Sequence, residues 1–410
     1  MRTLSCWRAY LVTALVLLLP GAALAQDATG YFPPDCNPPL PFSNRPDLGG
    51  LYCGAEFVMY RQTNPLKGQN VAYRGFLDVD GSISLALGDG AGPHTFYGSR
   101  QLALDVQQAD GPNSYSPGTN IVIGYKFANG ASFAVSWLYL TETQTHASAT
   151  SAPFDLNVGF DSANSYLFSP VYGFPNDYAS NFRTDNGRRK IAIGNPDAAY
   201  GIWNAASIET ISFIQRVQQY EFTWRDVVFE TENYRCSYLV GGRFFWIWER
   251  FQWITKDLDL AGQGGPLDTA IYGNIDSNRM YGAHAGFSNE CYIGHGFAMQ
   301  LDVEGALLLD VIRERQSYTT GVRYGVPVPT AVSKRTVTQW TAVPEVNASL
   351  NLVWYPIQSV EVRLGYNVMA FFNTISSPVP IDFNYGSLTA PYQSTFRLFD
   401  GFNVGVAFIW

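Results

Sequence analysis

Apolar and polar residues alternate along most of the chain with a period of two, the signature of strands with two unlike faces. Leu51, Cys53, Ala55, Phe57 and Met59 share one face, and Tyr52, Gly54, Glu56, Val58 and Tyr60 share the other. Ile121, Ile123, Tyr125 and Phe127 oppose Val122, Gly124 and Lys126. After Asn129-Gly130, a hairpin-turn pair, Phe133, Val135, Trp137 and Tyr139 oppose Ala134, Ser136 and Glu142. Another strand carries Tyr220, Phe222, Trp224 and Val228, extends back toward Ile208, and is interrupted at Asp226, which marks a bulge or an interface. From Cys236 to Trp248 the even positions (Tyr238, Val240, Gly242, Phe244, Trp246) oppose Ser237, Gly241, Arg243 and, just beyond, Glu249. The clearest strand runs from Phe297 to Val311, with Gln300, Asp302, Glu304 and Asp310 behind its apolar face. Val346, Ala348, Leu350, Leu352 and Trp354 form the next, and Val360, Val362, Leu364, Tyr366 and Val368 oppose Glu361, Arg363 and Asn367. Residues 278 to 289 alternate weakly and are assigned to a strand by position.

The chain ends on Phe402, Val404, Val406, Phe408 and Trp410, all on one face of an extended strand. A final strand closing on an aromatic resembles the signal by which the outer-membrane assembly machinery selects its clients. The opposite end carries Arg2 and Arg8, an apolar run from Ala9 to Leu19, and Ala23-Leu24-Ala25 before Gln26. That order reads as a secretory signal peptide over residues 1–25, too short in its apolar part to span a bilayer as a helix. Cys6 precedes the run, where lipoprotein processing cannot use it. Residues 26–50, rich in proline, read as an irregular periplasmic segment, and residues 51–410 as the folded body.

These patterns predict an all-β protein: a transmembrane, antiparallel, up-and-down β-barrel of about ten strands in the outer membrane of a diderm bacterium. Turns near Asn129, Glu232, Tyr292 and Tyr355 are short and fall on the periplasmic side. The segments 63–118, 145–205, 250–277, 313–339 and 373–399 are long and fall outside. Leu102, Leu104 and Val106 alternate within the first of these, so twelve strands is the second choice. A soluble periplasmic barrel would use the same alternation inside out. The aromatic final strand, and apolar faces of the roughly 9–11 residues that a membrane strand requires, favour the lipid-facing assignment.

Composition agrees. No window outside the signal reaches transmembrane-helix length, and 25 Tyr, 27 Phe and 10 Trp supply aromatics for interfacial girdles. A formal charge of −8 excludes a nucleic-acid-binding surface of the usual basic kind. Glu56, Lys126, Arg243, Glu249, Asp302, Glu304, Glu361 and Arg363 are expected to face the lumen in pairs of mixed sign. Removal of the signal leaves Cys36, Cys53, Cys236 and Cys291, for which three connectivities exist. Strand ends place Cys53, Cys236 and Cys291 at the periplasmic rim, which pairs Cys36 with Cys53 and Cys236 with Cys291.

The motifs Leu51 to Tyr60, Ile121-Val122-Ile123-Gly124-Tyr125 with Ala134-Val135-Ser136-Trp137-Leu138, Tyr238-Leu239-Val240-Gly241-Gly242-Arg243-Phe244, Val343-Pro344-Glu345-Val346 with Gly365-Tyr366-Asn367, and Asp400-Gly401-Phe402-Asn403-Val404-Gly405 resemble the outer-membrane β-barrel family multiplied in planctomycetes. The resemblance implies fold and compartment and brings no catalytic residues.

The expected role is structural or that of a narrow pore, because only about 16 to 18 strands leave an open aqueous channel. Adhesion through Tyr97, Tyr115, Tyr166, Tyr172, Tyr178 and Phe182 in the outer loops is the alternative. A hydrolase is disfavoured: the four histidines, His94, His146, His284 and His295, lie in separate segments, and no Gly-x-Ser-x-Gly accompanies them. No metal or cofactor is expected. The expected partners are outer-membrane lipid and the barrel assembly machinery.

Overall fold

A computed structural model describes residues 49–410 other than 64, 79–80, 82–83, 86–87, 110–114, 151–165, 173–202, 259–268, 321–331, 358, 385 and 390–391. Ten strands, numbered with the rest in chain order, close into one ring. They are β1 (Gly50–Gln62), β6 (Ser116–Lys126), β7 (Ser132–Thr150), β10 (Ile208–Glu230), β11 (Tyr234–Lys256), β12 (Thr269–Gly294), β13 (Phe297–Thr320), β14 (Val332–Ile357), β15 (Val360–Ser376) and β16 (Gln393–Ile409). Every neighbour is antiparallel, and β1 pairs with both β6 and β16. Tyr52 to Gln62 lie opposite Ile409 to Phe399 without a slip, and the backbone N–H of Trp410 donates to the Leu51 carbonyl at 3.0 Å. No helix among the described residues is long and apolar enough to cross a membrane, so the strands would have to do so.

The faces sort as the alternation requires. Leu51, Phe57, Ile121, Ile123, Tyr220, Phe222, Leu307, Leu309, Leu350, Leu364, Phe402 and Phe408 are exposed, although large and apolar, and form an outward band suited to lipid. Hydrogen bonds that cross the ring, such as Arg397 of β16 to Glu249 of β11, identify the other face as the lumen.

One end has short turns. At 295–296 both central residues take positive φ, 57° at His295 and 78° at Gly296, as a type I′ hairpin needs. Gly130, with φ 87°, donates its N–H to the Phe127 carbonyl and closes the turn before β7. The bulge expected at Asp226 lies between Val227 and Phe229.

Two differences concern the other end. The strands run well past the residues at which the sequence places loops, to Lys256 in β11 and Thr320 in β13, and they begin at Thr269 in β12 and Val332 in β14. Ladder pairing continues above the lipid band, where lipid no longer demands an apolar outer face and the alternation fades. The possible eleventh and twelfth strands do not join the ring. Leu102–Asp105 is instead β5 of a small sheet with β2 (Asn70–Arg74), β8 (Leu167–Phe168) and β9 (Asn204–Ala206), in the order β5-β2-β8-β9. A second pair, β3 (Phe76–Asp78) and β4 (Thr95–Tyr97), lies in the same connection between β1 and β6.

Cysteine chemistry also differs from expectation. Cys53, Cys236 and Cys291 are free thiols, and Cys36 lies outside the described residues. Cys236 stands opposite Asn289, and Cys291 opposite Tyr234. The two thiols are therefore diagonal neighbours, roughly 7–8 Å apart at the backbone, beyond disulfide geometry. Cys53 has Phe408 and Ile123 as its direct cross-strand neighbours, and its expected pairing with Cys36 falls on a residue outside the described ones.

The seam between β1 and β16 is packed tightly at Gly401, where a Cβ would run into the Met59 carbonyl and the Tyr60 ring. Gly401→Val is expected to destabilise the folded barrel by about 1–3 kcal/mol, read from the urea midpoint of refolded protein. An unchanged midpoint would refute this register of the seam.

Candidate functional site

The lumen is a stack of layers along the barrel axis. At the short-turn end is a polar vestibule of about 300 Å³ whose lining includes Tyr52, Glu56, Lys126, Asp302, Glu361 and Arg363. Arg363 donates to Glu361 at 2.7 Å and lies 3.6 Å from Glu56, and Asn120 donates to the second Glu56 oxygen at 2.9 Å. Tyr60, Leu138 and Leu239 are buried members of its lining.

Above the vestibule sits Arg243, with a side chain only 1% exposed. Its guanidinium donates to Glu221 at 2.7 Å, to Glu345 at 2.7 Å, and to Glu304. The three acids come from β10, β14 and β13, so one cation ties four staves of the barrel together. A buried charge is tolerable only when paired and hydrogen-bonded, and the planar fork of arginine can meet three carboxylates at once. His284 adds its Nε2 3.7 Å from Glu221 and 3.2 Å from the Thr223 hydroxyl. Glu221, His284 and Glu304 offer ligand atoms within 4.8 Å of one another, a spacing that a metal ion could use. Arg243 already pairs with both of these carboxylates, so the group reads as an ion-pair centre.

The next layer is apolar. Val58, Tyr60, Leu138, Val217, Phe245, Ile247, Met280, Leu308, Val343, Met369, Phe371 and Phe399 form one buried cluster spread around the ring. Phe245 packs on Phe371 with ring centroids 4.5 Å apart and on Phe399 at 5.9 Å, bringing β11, β15 and β16 together across the axis.

A second charge centre follows. Arg397, 2% exposed, makes a two-pronged pair with Glu249, at 2.6 and 2.9 Å, and lies 3.9 Å from Asp276. Gln215 donates to the same Glu249 at 2.8 Å.

The outer mouth is filled by aromatics and connecting segments. Trp253, Tyr272 and Tyr318 of the barrel join Trp203, Leu104, Leu167 and Ile381 in another buried cluster. The Tyr272 and Tyr318 hydroxyls donate to the Pro380 and Asp382 carbonyls at 2.7 Å. Glu209 accepts from Trp253 Nε1 at 2.8 Å and from the Ser169 hydroxyl at 2.9 Å, anchoring the segment after β8.

All eight residues expected in the lumen lie on its inner face. Glu56, Lys126, Asp302, Glu304, Glu361 and Arg363 line the vestibule, Arg243 is the centre above it, and Glu249 belongs to the upper pair. Glu142 is the exception to the strand reading: an irregularity opposite Gln215 and Val217 turns it outward, where it pairs with Arg216. Arg397 and Asp276 are absent from the expected set because both fall within stretches read as loops. The aromatics offered for adhesion mostly pack. Tyr166 is buried against Phe76, Tyr97 stacks on Phe76, and the Tyr115 ring lies 5.1 Å below the Arg61 guanidinium. Tyr172 is exposed, and Tyr178 and Phe182 lie outside the described residues. Phe402, Val404, Val406, Phe408 and Trp410 all face outward.

Removing Arg243 leaves three desolvated carboxylates uncompensated. Arg243→Met is expected to destabilise the barrel by about 3–5 kcal/mol, and a further Glu345→Gln should recover part of the loss. Equilibrium unfolding in micelles measures both, and a single variant as stable as the parent would contradict the assignment.

Residues 89–410 match the family model described as the Legionella pneumophila major outer membrane protein precursor. No curated protein matches the chain. Among solved structures, the outer membrane protease OmpT from Escherichia coli is 8% identical, with 90% of this chain and 98% of that one covered, at a TM-score of 0.38. The P. putida toluene transporter TodX is 8% identical, with 90% and 92% covered, at a TM-score of 0.24. Likenesses this distant carry no argument about activity. The family match agrees with the closed ring and its outward apolar band: the chain is an outer-membrane β-barrel protein and belongs to the family of the Legionella pneumophila major outer membrane protein.

Proposed function

We propose that this protein is a structural outer-membrane barrel with a filled lumen, presenting a compact loop cap to the exterior, and that it conducts no solute in its resting state. The observation that carries the reading is the apolar layer in which Phe245, Phe371 and Phe399 meet across the axis. An aqueous path needs polar walls along its whole length, and a dry constriction blocks hydrated ions even where small gaps remain. The charge centres on either side add bulk to the block, since Arg243 and Arg397 each hold acids from several strands across the lumen.

The same reading assigns no catalysis to the chain. His94 sits at the turn entering β4, His146 on the outer face of β7, His284 in the lumen and His295 in the turn before β13. His284 reaches the Thr223 hydroxyl at 3.2 Å, but its Nδ1 is buried without a hydrogen-bond partner, so no third group orients the ring as a base. In the biogenesis implied by this role, the outward aromatic face of β16 is what the assembly machinery engages.

Purified protein in planar bilayers is expected to show no single-channel steps. Replacing Phe245, Phe371 and Phe399 together by alanine should produce them, because the layer loses its three largest rings. Steady conductance from the unaltered protein would overturn the proposal.

A further inference from the structure

The outer surface carries a cationic field that the lumen does not explain. Just above the lipid band, on the outward face of five successive strands, stand Arg216 of β10, Arg250 of β11, Arg279 of β12, Arg313 and Arg315 of β13, and Lys334 of β14. The register sets them on adjoining rungs. Arg216 lies opposite Trp248, which lies opposite Ser277, which lies opposite Arg313. One step toward the loops, Arg250 lies opposite Ile275, and Ile275 opposite Arg315. One step toward the lipid, Trp246 lies opposite Arg279, Arg279 opposite Val311, and Val311 opposite Trp340. Strands lie about 4.8 Å apart, so Arg250 and Arg315, two strands apart, stand about 10 Å from each other, and Arg216 and Arg313, three strands apart, about 14 Å.

Two features make this more than a solvated face. Across these five strands no acidic residue faces outward at this level; the nearest is Glu142 of β7, which is paired with Arg216. Arg279, Arg313 and Arg315 are exposed and have no ion-pair partner among the described residues. Arg250 is held in place yet incompletely used: its guanidinium lies 5.7 Å from the Trp248 ring centroid, and its Nε is buried without a hydrogen-bond partner. Arg216 stacks on the same ring at 4.8 Å. The rest of the chain carries a net negative charge, so this concentration of cations does not follow from composition.

We infer that this face binds the headgroup of an outer-leaflet glycolipid carrying more than one phosphate. Trp246, Trp248 and Trp340 share rungs with the arginines, as side chains do where ring and headgroup meet, and guanidinium forks match phosphate oxygens bidentately. Six cations against a single paired acid exceed what one phosphate can neutralise. That excess selects a multiply phosphorylated headgroup over a simple anionic phospholipid.

The test uses the full mature chain refolded in neutral detergent and examined by native mass spectrometry with diphosphoryl lipid A, with phosphatidylglycerol in parallel and millimolar inorganic phosphate as competitor. The unaltered protein is expected to retain lipid A in preference to phosphatidylglycerol and to keep it in the presence of phosphate. The triple variant Arg279→Gln, Arg313→Gln, Arg315→Gln should lose affinity on the order of a hundredfold. Arg61→Gln, on the far side of the ring and paired with Asp400, should not. A heat-shifted gel band confirms that each variant is folded before it is scored. Equal retention by the triple variant, equal binding of phosphatidylglycerol, or displacement by free phosphate would each overturn the inference.

Discussion

A polypeptide crossing hydrocarbon must satisfy every backbone N–H and C=O within itself, because lipid offers no partner. In this chain that constraint is met by the ladder between β1 and β16, which turns a ten-strand meander into a ring without edges. The rest of the architecture follows from it. The ring fixes one face toward lipid and the other toward the axis, so each residue is committed by its parity. The outward aromatic face of β16 and the close contact at Gly401 lie at the seam that closes last in sequence order.

Closure creates a second problem, a lumen of roughly molecular width that must be filled or wetted. Here it is filled by alternation of two solutions along the axis. Ion-pair centres at Arg243 and Arg397 bridge staves that are not neighbours in the sheet, and between them a layer of aromatic and aliphatic side chains interlocks. The ion pairs are costly to desolvate and are weak evidence for added stability by themselves. Their geometric consequence is clearer: each cation meets acids only when the strands carrying them hold the correct register. Arg243 reads the relative positions of β10, β11, β13 and β14, and Arg397 those of β11, β12 and β16.

The membrane-facing half of this design was legible in the sequence, because lipid imposes a two-residue period that nothing else in the environment masks. Leu51 to Met59, Phe297 to Val311 and Phe402 to Trp410 show it plainly. Legibility failed where the inner face is also apolar. At Phe371-Phe372 and Leu398-Phe399 both faces carry large hydrophobic residues, so the alternation that marks a strand disappears there. Above the lipid band the outer face turns polar, and Arg397 and Asp276 read as loop residues although they anchor the second charge centre. The expected Cys236–Cys291 disulfide failed for a different reason. Sequence placed the cysteines at one rim but could not resolve the two-residue diagonal between Cys236 and Cys291.

A barrel whose lumen is closed by a dry layer should be accessible from one side only up to that layer. The most direct measurement is thiol labelling of Ser136→Cys, a vestibule position, in a background with the native cysteines replaced by serine, using a membrane-impermeant maleimide. The account predicts rapid labelling when the reagent reaches the periplasmic side and none when it is confined to the outside of intact cells. Equal labelling from both sides would show a continuous aqueous path and contradict the filled lumen.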